Sequence, residues 1–578
     1  MSQVVLEPDL SVIKSADFQL PIYFVKNKEL SSDLIDDLEL ERFKDNDSYG
    51  FYSAVFEPNT KYGRKTALEW CKYYTNDKAF LKDSQYLYKN YDSSMNIYDK
   101  NKLENIETIW LDIKSDDNFI NKFHYVEYEF AQQLNESAPF LQILTMYNLL
   151  SPVFSILLPI IFLIMPFIIL QLQGITISLS KYFEVLKTVV GRHAIGQLFT
   201  LTSEISWEKR FYVLISIGFY VFQIYQNAMC CVSFYKRMRL MHEYIFNIKD
   251  YIDYSVEKMD EFLIVSNGLK SYREFNGLVK EHKKNLIDLK SNINNITPFS
   301  HSLSKLLQIG STMQIFYALH KNNDYNRAMI FSMSFIGYID NVSSIHRLHQ
   351  EGKLNCCVFG DKSTKFRDAY YPLVEGKPVK NTYSLKKNIV ITGPNAAGKT
   401  TMLKTTTINI ILSQQIGSGF YNKCTITPFS YIHCYVNIPD TSGRDSLFQA
   451  EARRCKEILD KIMESNKNER HFCIFDELYS GTNPYEAVAS SYSFLEYLTK
   501  QKNVTFMLTT HFIDLCEKLE NNYLVRNCHM AIETSNTELK YKYKIRSGIS
   551  DIKGGIKILE NLNYPEYIIR RANQALKN

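Results

Sequence analysis

An α/β domain in the C-terminal part of the chain is the fold the sequence predicts most directly, and three stretches predict it. A β-rich run, Asn388 to Thr392, passes straight into the glycine-bearing loop "GPNAAGKTT" (393–401) and then into a helix-like segment. A second apolar run, "HFCIF" (471–475), ends on the carboxylate pair Asp476 and Glu477. A third, "VTFML" (504–508), ends just before His511. Short apolar runs alternating with helical patterns point to a parallel sheet, placed here over 351–578. Ahead of it the pattern predicts a helical region over 240–350, a two-helix transmembrane hairpin over 136–239 and an α+β region over 1–135.

A chain of 578 residues is too long for one hydrophobic core and calls for several domains. With 22% charged and 45% hydrophobic residues it has the composition of an ordinary folded protein. Residues 1–150 carry 25 acidic and 16 basic side chains, a balance of −9, whereas the remainder stands at +14. The acidic block is a poor candidate for gripping a polyphosphate backbone, and the rest is only mildly basic. The 11 cysteines contain no C-x-x-C, which argues against a zinc site or a disulfide framework and for reduced thiols. The start, "MSQVVLEPDLSVIKSADF", lacks the basic-then-apolar pattern of a signal peptide.

Residues 1–135 mix strand-like and helix-like pieces, and their many Tyr and Phe read as packing rather than as a base-stacking platform. No charge appears between Glu136 and Lys181, and the densest apolar part spans about 150–172. Twenty helical residues cover about 30 Å, the thickness of a bilayer core. Pro159 and Pro166 within it are better tolerated in a spanning helix than in a soluble one. A second uncharged run, Phe211 to Tyr235, ends at "KRMR" (236–239) and predicts a second span over about 211–235. The basic cluster puts that end on the cytoplasmic side. A buried helical hairpin in a soluble domain is the competing reading. Over 240–350 apolar residues recur at three- and four-residue steps, and "KEHKK" (280–284) fits a solvated helix face better than a phosphate contact.

The chemistry sits in the C-terminal domain. Gly393, Gly398, Lys399 and Thr400 satisfy the phosphate-loop spacing, in which glycines let backbone N–H groups close on phosphate oxygens. Lys399 is expected to reach the β- and γ-phosphates of ATP, and the Thr400 hydroxyl to bind Mg²⁺. Asp476 is expected in the Mg²⁺ shell, and Glu477 to polarise the attacking water. His511 either senses the γ-phosphate or is a structural histidine.

These residues resemble a family. "TGPNAAGKTT" (392–401), "GRDSLFQAE" (443–451), "DELYSGTNPYEA" (476–487) and "TTHFIDL" (509–515) are similar, in order, to the ATPase motifs of MutS proteins. The family's patterns are TGPN-x-x-GK-[ST]-T, S-T-F-x-x-E, DE-x-x-x-GT-x-x-x-[DE]-[GA] and ATH. The tail 545–574 also resembles the family's C-terminal dimerisation element, and the likeness extends over about 350–578. It implies an ABC/MutS-type ATPase fold, with the 240–350 helices as the lever-like region before it. It implies nucleotide contacts from Gly393, Pro394, Asn395, Ala396, Ala397, Gly398, Lys399, Thr400 and Thr401, with Asn395 on the γ-phosphate. It further implies Glu477, His511 and Lys399 as catalytic residues, Thr400 and Asp476 as metal ligands, and Ser446 reaching a partner subunit's nucleotide in a homodimer. Ala396 and Ala397 replace the usual Met-Gly, and Leu447 replaces a threonine. The mismatch-reading wedge of the family, Gly-x-Phe-Tyr-Glu, has its nearest counterpart in "YGFYSAVF" (49–56), where Ser53 stands in place of the glutamate.

The expectation is therefore a Mg²⁺-dependent ATPase, turning ATP and water into ADP and phosphate. Its leading form is a membrane-anchored MutS-like dimer with the ATPase domain in the cytoplasm and DNA as a partner to be tested. The alternative is a soluble mismatch-repair protein of cytoplasm or nucleus. A transporter component fits less well, since the Leu-Ser-Gly-Gly-Gln signature is absent and two spans make a thin pathway.

Overall fold

The computed structural model describes residues 18–43, 49–91, 100–115, 117–174, 178–190, 207–300, 302–436, 446–534, 539–550, 556, 559–560 and 562–575. The chain's first residues, Gly443 to Asp445 and parts of the 545–574 tail lie outside them. Two compact units emerge, one of Asn101–Val256 with Lys284–Ala328, the other of Met1–Lys100, Glu257–Lys283 and Met329–Asn578.

The first unit is helical. Its helix α1 (Ala138–Leu172) starts at Ser137, whose hydroxyl accepts from the Phe140 N–H, with Pro139 in the first turn where no backbone donor is needed. Pro152, Pro159 and Pro166 all lie inside α1, seven residues apart and so on one side of the helix. The second expected span is not a helix of its own: it is the beginning of α2 (Trp207–Ser266), 60 residues long, which runs unbroken past "KRMR". Among the described residues one helix, over Leu214–Ser266, is long and apolar enough to cross a membrane. Side chains at 155, 156, 158–160, 162 and 163, in the middle of the first expected span, lie outside the described set. Away from these helices the unit has an aromatic core, with Phe119 stacked 5.4 Å from Phe316 and 4.0 Å from His320. In the "KEHKK" stretch Lys280 and Lys284 are exposed and His282 is buried, as a solvated helix face requires.

The second unit holds a six-stranded sheet of β1 (Asn388–Thr392), β2 (Tyr431–Tyr435), β3 (His471–Asp476), β4 (Val504–Thr510), β5 (Val525–Thr534) and β6 (Leu539–Ser547). Its order is β6-β5-β1-β4-β3-β2, parallel except for the β5–β6 edge pair. All five residues of β1 and the first five of β3 are buried, because both faces of the sheet are covered. One face carries α4 (Leu447–Glu464), α5 (Pro484–Lys500) and α6 (Ile513–Glu520), packed on Val390, Cys473, Phe475, Phe506 and Leu508. The alternate residues, among them Ile389, Ile391 and Ile474, point to the other face, where α3 (Lys399–Ser413) lies against β3 and β4. A five-stranded sheet flanks this layer, its strand Ser418–Gly419 packing on α3.

The N-terminal block of this unit is clasped to the foot of α3 by two buried glutamines. Gln415 donates to the carbonyls of Trp70 (2.6 Å) and Tyr73 (2.9 Å) and accepts from the Tyr52 hydroxyl (2.6 Å). Gln414 donates to the Thr75 and Phe429 carbonyls and accepts from the Phe429 N–H. Both side chains are fully enclosed, so every one of these polar groups depends on its partner.

Candidate functional site

The carboxyl ends of β1, β4 and β3 lie side by side, so the loops that follow them share one corner of the sheet. The loop after β1 turns through three left-handed or strained residues, Gly393 (φ 151°), Ala396 (φ 62°) and Gly398 (φ 88°). A Cβ at Gly398 would meet the Tyr543 ring at 3.0 Å as well as the unfavourable φ, so glycine is required there. Ala396 adopts the left-handed region without that freedom, a strain found most often at binding loops. Gly398 then caps α3, whose first-turn N–H groups open toward the loop.

Lys399, the first residue of α3, is 5% exposed and its ammonium donates to the carbonyls of Gly393 (2.9 Å) and Pro394 (3.3 Å). Burial lowers its pKa, and the nearby Glu477 and Asp476 carboxylates oppose that shift. The Thr400 hydroxyl donates to Asp476 Oδ2 at 2.7 Å, and the Thr509 hydroxyl donates to Oδ1. Asp476 is thereby aimed from the end of β3 at the start of α3.

Glu477 leaves β3 with a left-handed backbone (φ 54°), its N–H donating to the Thr509 carbonyl at 3.0 Å. Its Oε1 is 2.7 Å from His511 Nε2 and 4.0 Å from Lys399 Nζ. His511 Nε2 also stands 3.0 Å from Lys399 Nζ, but one ring nitrogen cannot accept from the lysine while donating to the carboxylate. The shorter contact assigns Nε2 the proton and leaves Lys399 to the loop carbonyls. The His511 hydrogen bond, then the charges of His511 and Lys399, hold the Glu477 carboxyl below the ordinary range.

Of the other residues anticipated at the site, Ala397 is buried whereas Asn395 and Thr401 are exposed. Among the described residues no hydrogen bond brings Ser446 to this corner: it is the exposed N-cap of α4. There it forms a capping box with Gln449, whose N–H it accepts at 3.3 Å. Five residues on, Glu451 was given no role by sequence reasoning, although it closes the S-x-F-x-x-E stretch. It is 3% exposed and accepts from the Ser480 N–H, the Ser480 hydroxyl and the Gly481 N–H, each at 3.1 Å. Together with Tyr435, which accepts from the Tyr479 N–H, it holds the turn that follows Glu477. Gly481 lets α4 approach, since a Cβ there would lie 2.7 Å from Leu447 Cγ. In the wedge-like stretch Phe51 and Tyr52 are each 1% exposed and sit in a helix. A ring so enclosed offers no face to a base.

Thr400 and Asp476 present hard oxygen donors within 2.7 Å of each other, a pairing that suits Mg²⁺ rather than a softer metal. Among the described residues no group of three His, Cys, Asp or Glu side chains could hold a metal by itself.

Comparison with known proteins agrees with this corner. The family model for MutS domain V matches residues 389–578, which identifies the α/β part as that domain. A DNA mismatch repair protein MutS of Persephonella marina is 27% identical over 252 residues, 42% of this chain and 28% of the relative. The DNA mismatch repair protein spellchecker 1 of Drosophila melanogaster is 24% identical over 37% of this chain and 24% of its own length. An Endonuclease MutS2 of Streptococcus uberis is 29% identical over 43% of this chain and 32% of its own. The match thus spans a third or less of each of these relatives. What the comparisons show is therefore a MutS domain V over residues 389–578, the C-terminal third of this chain.

Proposed function

We propose that the chain binds ATP with Mg²⁺ at this corner and hydrolyses it, as a MutS-type ATPase. The observation that carries the reading is the convergence of Lys399, Asp476, Glu477 and His511 from three adjacent strand ends. Backbone N–H groups of Gly393–Thr401 would cradle the phosphates, with Lys399 turning its buried charge to the β- and γ-phosphates. Thr400 and Asp476 would hold the metal, which supplies charge neutralisation between the phosphates. Glu477, ionised and oriented by His511, would fix the attacking water. The test is Glu477→Gln, which should keep ATP binding and stop turnover; undiminished hydrolysis would overturn the role.

The names of the relatives, DNA mismatch repair and endonuclease, support DNA as what such a domain serves. We extend this to a homodimer acting on DNA, with Ser446 completing a partner's site. Mixing Lys399→Ala with Ser446→Ala chains should then restore activity through the one intact composite site. The buried Phe51 and Tyr52 give no support to mismatch reading through the 49–56 stretch.

The relatives' names support the mismatch-repair reading, and one observation supports a membrane-anchored form. On α2 Phe211, Leu214, Phe219 and Phe222 are 55–69% exposed, and on α1 Ile161, Ile164 and Ile168 are 44–50% exposed. Apolar bands of this kind mark a membrane or a partner. Flotation with lipid vesicles decides between the readings, and Phe219→Arg with Phe222→Arg should abolish it at about 2.5–3.5 kcal/mol per inserted charge.

A further inference from the structure

The helical unit contains a cavity of about 230 Å³, remote in sequence from every motif of the nucleotide site. Its apolar walls include Leu149, Phe234, Met238 and Ile309, and its polar lining includes His242 and Lys305 beside Ser300 and Ser302. The space would hold roughly eight water-sized groups. Its position along the chain matters as much as its size. Leu149 immediately precedes the densest apolar part of α1, about 150–172, and Phe234 and Met238 straddle the junction on α2 where the uncharged run gives way to "KRMR".

Each polar group lacks something different: Lys305 has acceptors for its three N–H groups but no counter-charge, and His242 has an unused ring nitrogen. Lys305 is 6% exposed, yet its ammonium donates only to neutral oxygens: the Thr297 carbonyl, the Thr297 hydroxyl (3.0 Å) and Gln308 Oε1 (3.2 Å). Among the described residues no carboxylate lies within ion-pair distance of it, and buried charges without a counter-charge are rare. His242, 3% exposed, uses Nδ1–H toward the Met238 carbonyl at 2.7 Å. Its Nε2 is buried and has no hydrogen-bond partner among the described residues. Burial lowers the pKa of both groups, and the Lys305 charge adds to the effect on His242. A cation lacking an anion, beside an imidazole nitrogen lacking a partner, over an apolar floor, describes an acidic head on a hydrocarbon chain. An acid oxygen would take one Lys305 N–H from Thr297 or Gln308 and add the missing counter-charge, and a hydroxyl of a phosphoglycerol head, which a carboxylate lacks, would donate to His242 Nε2.

We propose that this cavity binds the acidic head and first carbons of a lipid, an acyl chain bearing a phosphate or carboxyl group. A basic pocket beside apolar helices at the start of their charged flank is where such heads collect. The proposal rests on the membrane reading only for the source of the ligand, a bilayer phospholipid as against a free fatty acid.

The test uses the full chain with phosphatidylcholine vesicles containing about 20% phosphatidylglycerol, an anionic lipid. Flotation reports the membrane reading by itself. Native mass spectrometry of the chain released in mild detergent then reports retained phosphatidylglycerol, and calorimetry reports oleate binding in solution. The expected result is one phosphatidylglycerol held per chain, with retention falling about tenfold in Lys305→Met, the loss of one charge-assisted contact. Met238→Trp, which fills the cavity and leaves Lys305 in place, should do the same at unchanged flotation and helical content. Oleate bound one to one without flotation, and lost in both variants, would keep the pocket and discard the membrane. Neither lipid bound, or both variants binding as well as the parent chain, would overturn the proposal.

Discussion

The corner where β1, β3 and β4 end and the apolar stretches of α1 and α2 make opposite uses of their surroundings. At the corner polar groups are held by one another: Thr400 and Thr509 fix Asp476, and His511 fixes Glu477. On the helices large apolar side chains such as Phe219 (69% exposed) touch little of the chain itself. A self-satisfied cluster in one place and an unsatisfied surface in another show that burial inside the chain alone does not say where function lies. On the proposed reading the corner answers to a nucleotide, and the bands to a solvent or a neighbour.

That contrast is broken or sharpened by substitution, beginning where the effect should be greatest. Glu477→Gln is expected to lower kcat by about 100-fold or more at unchanged ATP affinity, measured by single-turnover hydrolysis and nucleotide binding. Gln415→Leu should reduce stability by about 3 kcal/mol, because the Trp70 and Tyr73 carbonyls lose their donor in a sealed interior. Thermal unfolding checks it, and an unchanged Tm would refute the clasp. Glu451→Gln should slow turnover by about tenfold with little change in KM, since it loosens the turn beyond Glu477 without touching the phosphate loop. Ser446→Ala removes an N-cap worth about 1 kcal/mol to α4, a smaller loss of stability than at Gln415.

The pH response is the mildest of these effects. The Glu477 carboxyl titrates below the ordinary glutamate range, chiefly through its hydrogen bond to His511. A depressed folded-state value adds stability that is present above the unfolded value and lost as pH falls through the folded one. Turnover that needs the carboxylate should therefore persist into acid below the ordinary glutamate range. In His511→Ala the acid limb should move up toward that range, read from kcat against pH.

The corner was legible in the sequence because its chemistry is local: glycines, a lysine and carboxylates at fixed spacing after apolar runs. Strand ends at 392, 476 and 510 followed from the same runs. The glutamine clasp was not legible, since Gln415 meets Trp70 and Tyr73 across more than 340 residues and neither stretch carries a periodic signal. Glu451 was hidden for a related reason, a carboxylate whose partners are backbone N–H groups in another loop. The second apolar run was read as a span of its own because hydropathy marks where charge begins, not where a helix stops.

The clasp at Gln414 and Gln415 bears on how this protein can be taken apart. A fragment starting at residue 351 would keep every phosphate-loop motif yet expose both glutamine side chains and the surface that Tyr52, Trp70 and Tyr74 now cover. The N-terminal block, acidic and free of motifs, is thus part of the foundation on which α3 stands. Amide hydrogen exchange should find the backbone near Thr75, whose N–H donates to the Gln414 carbonyl, opening together with the last turn of α3 rather than ahead of it.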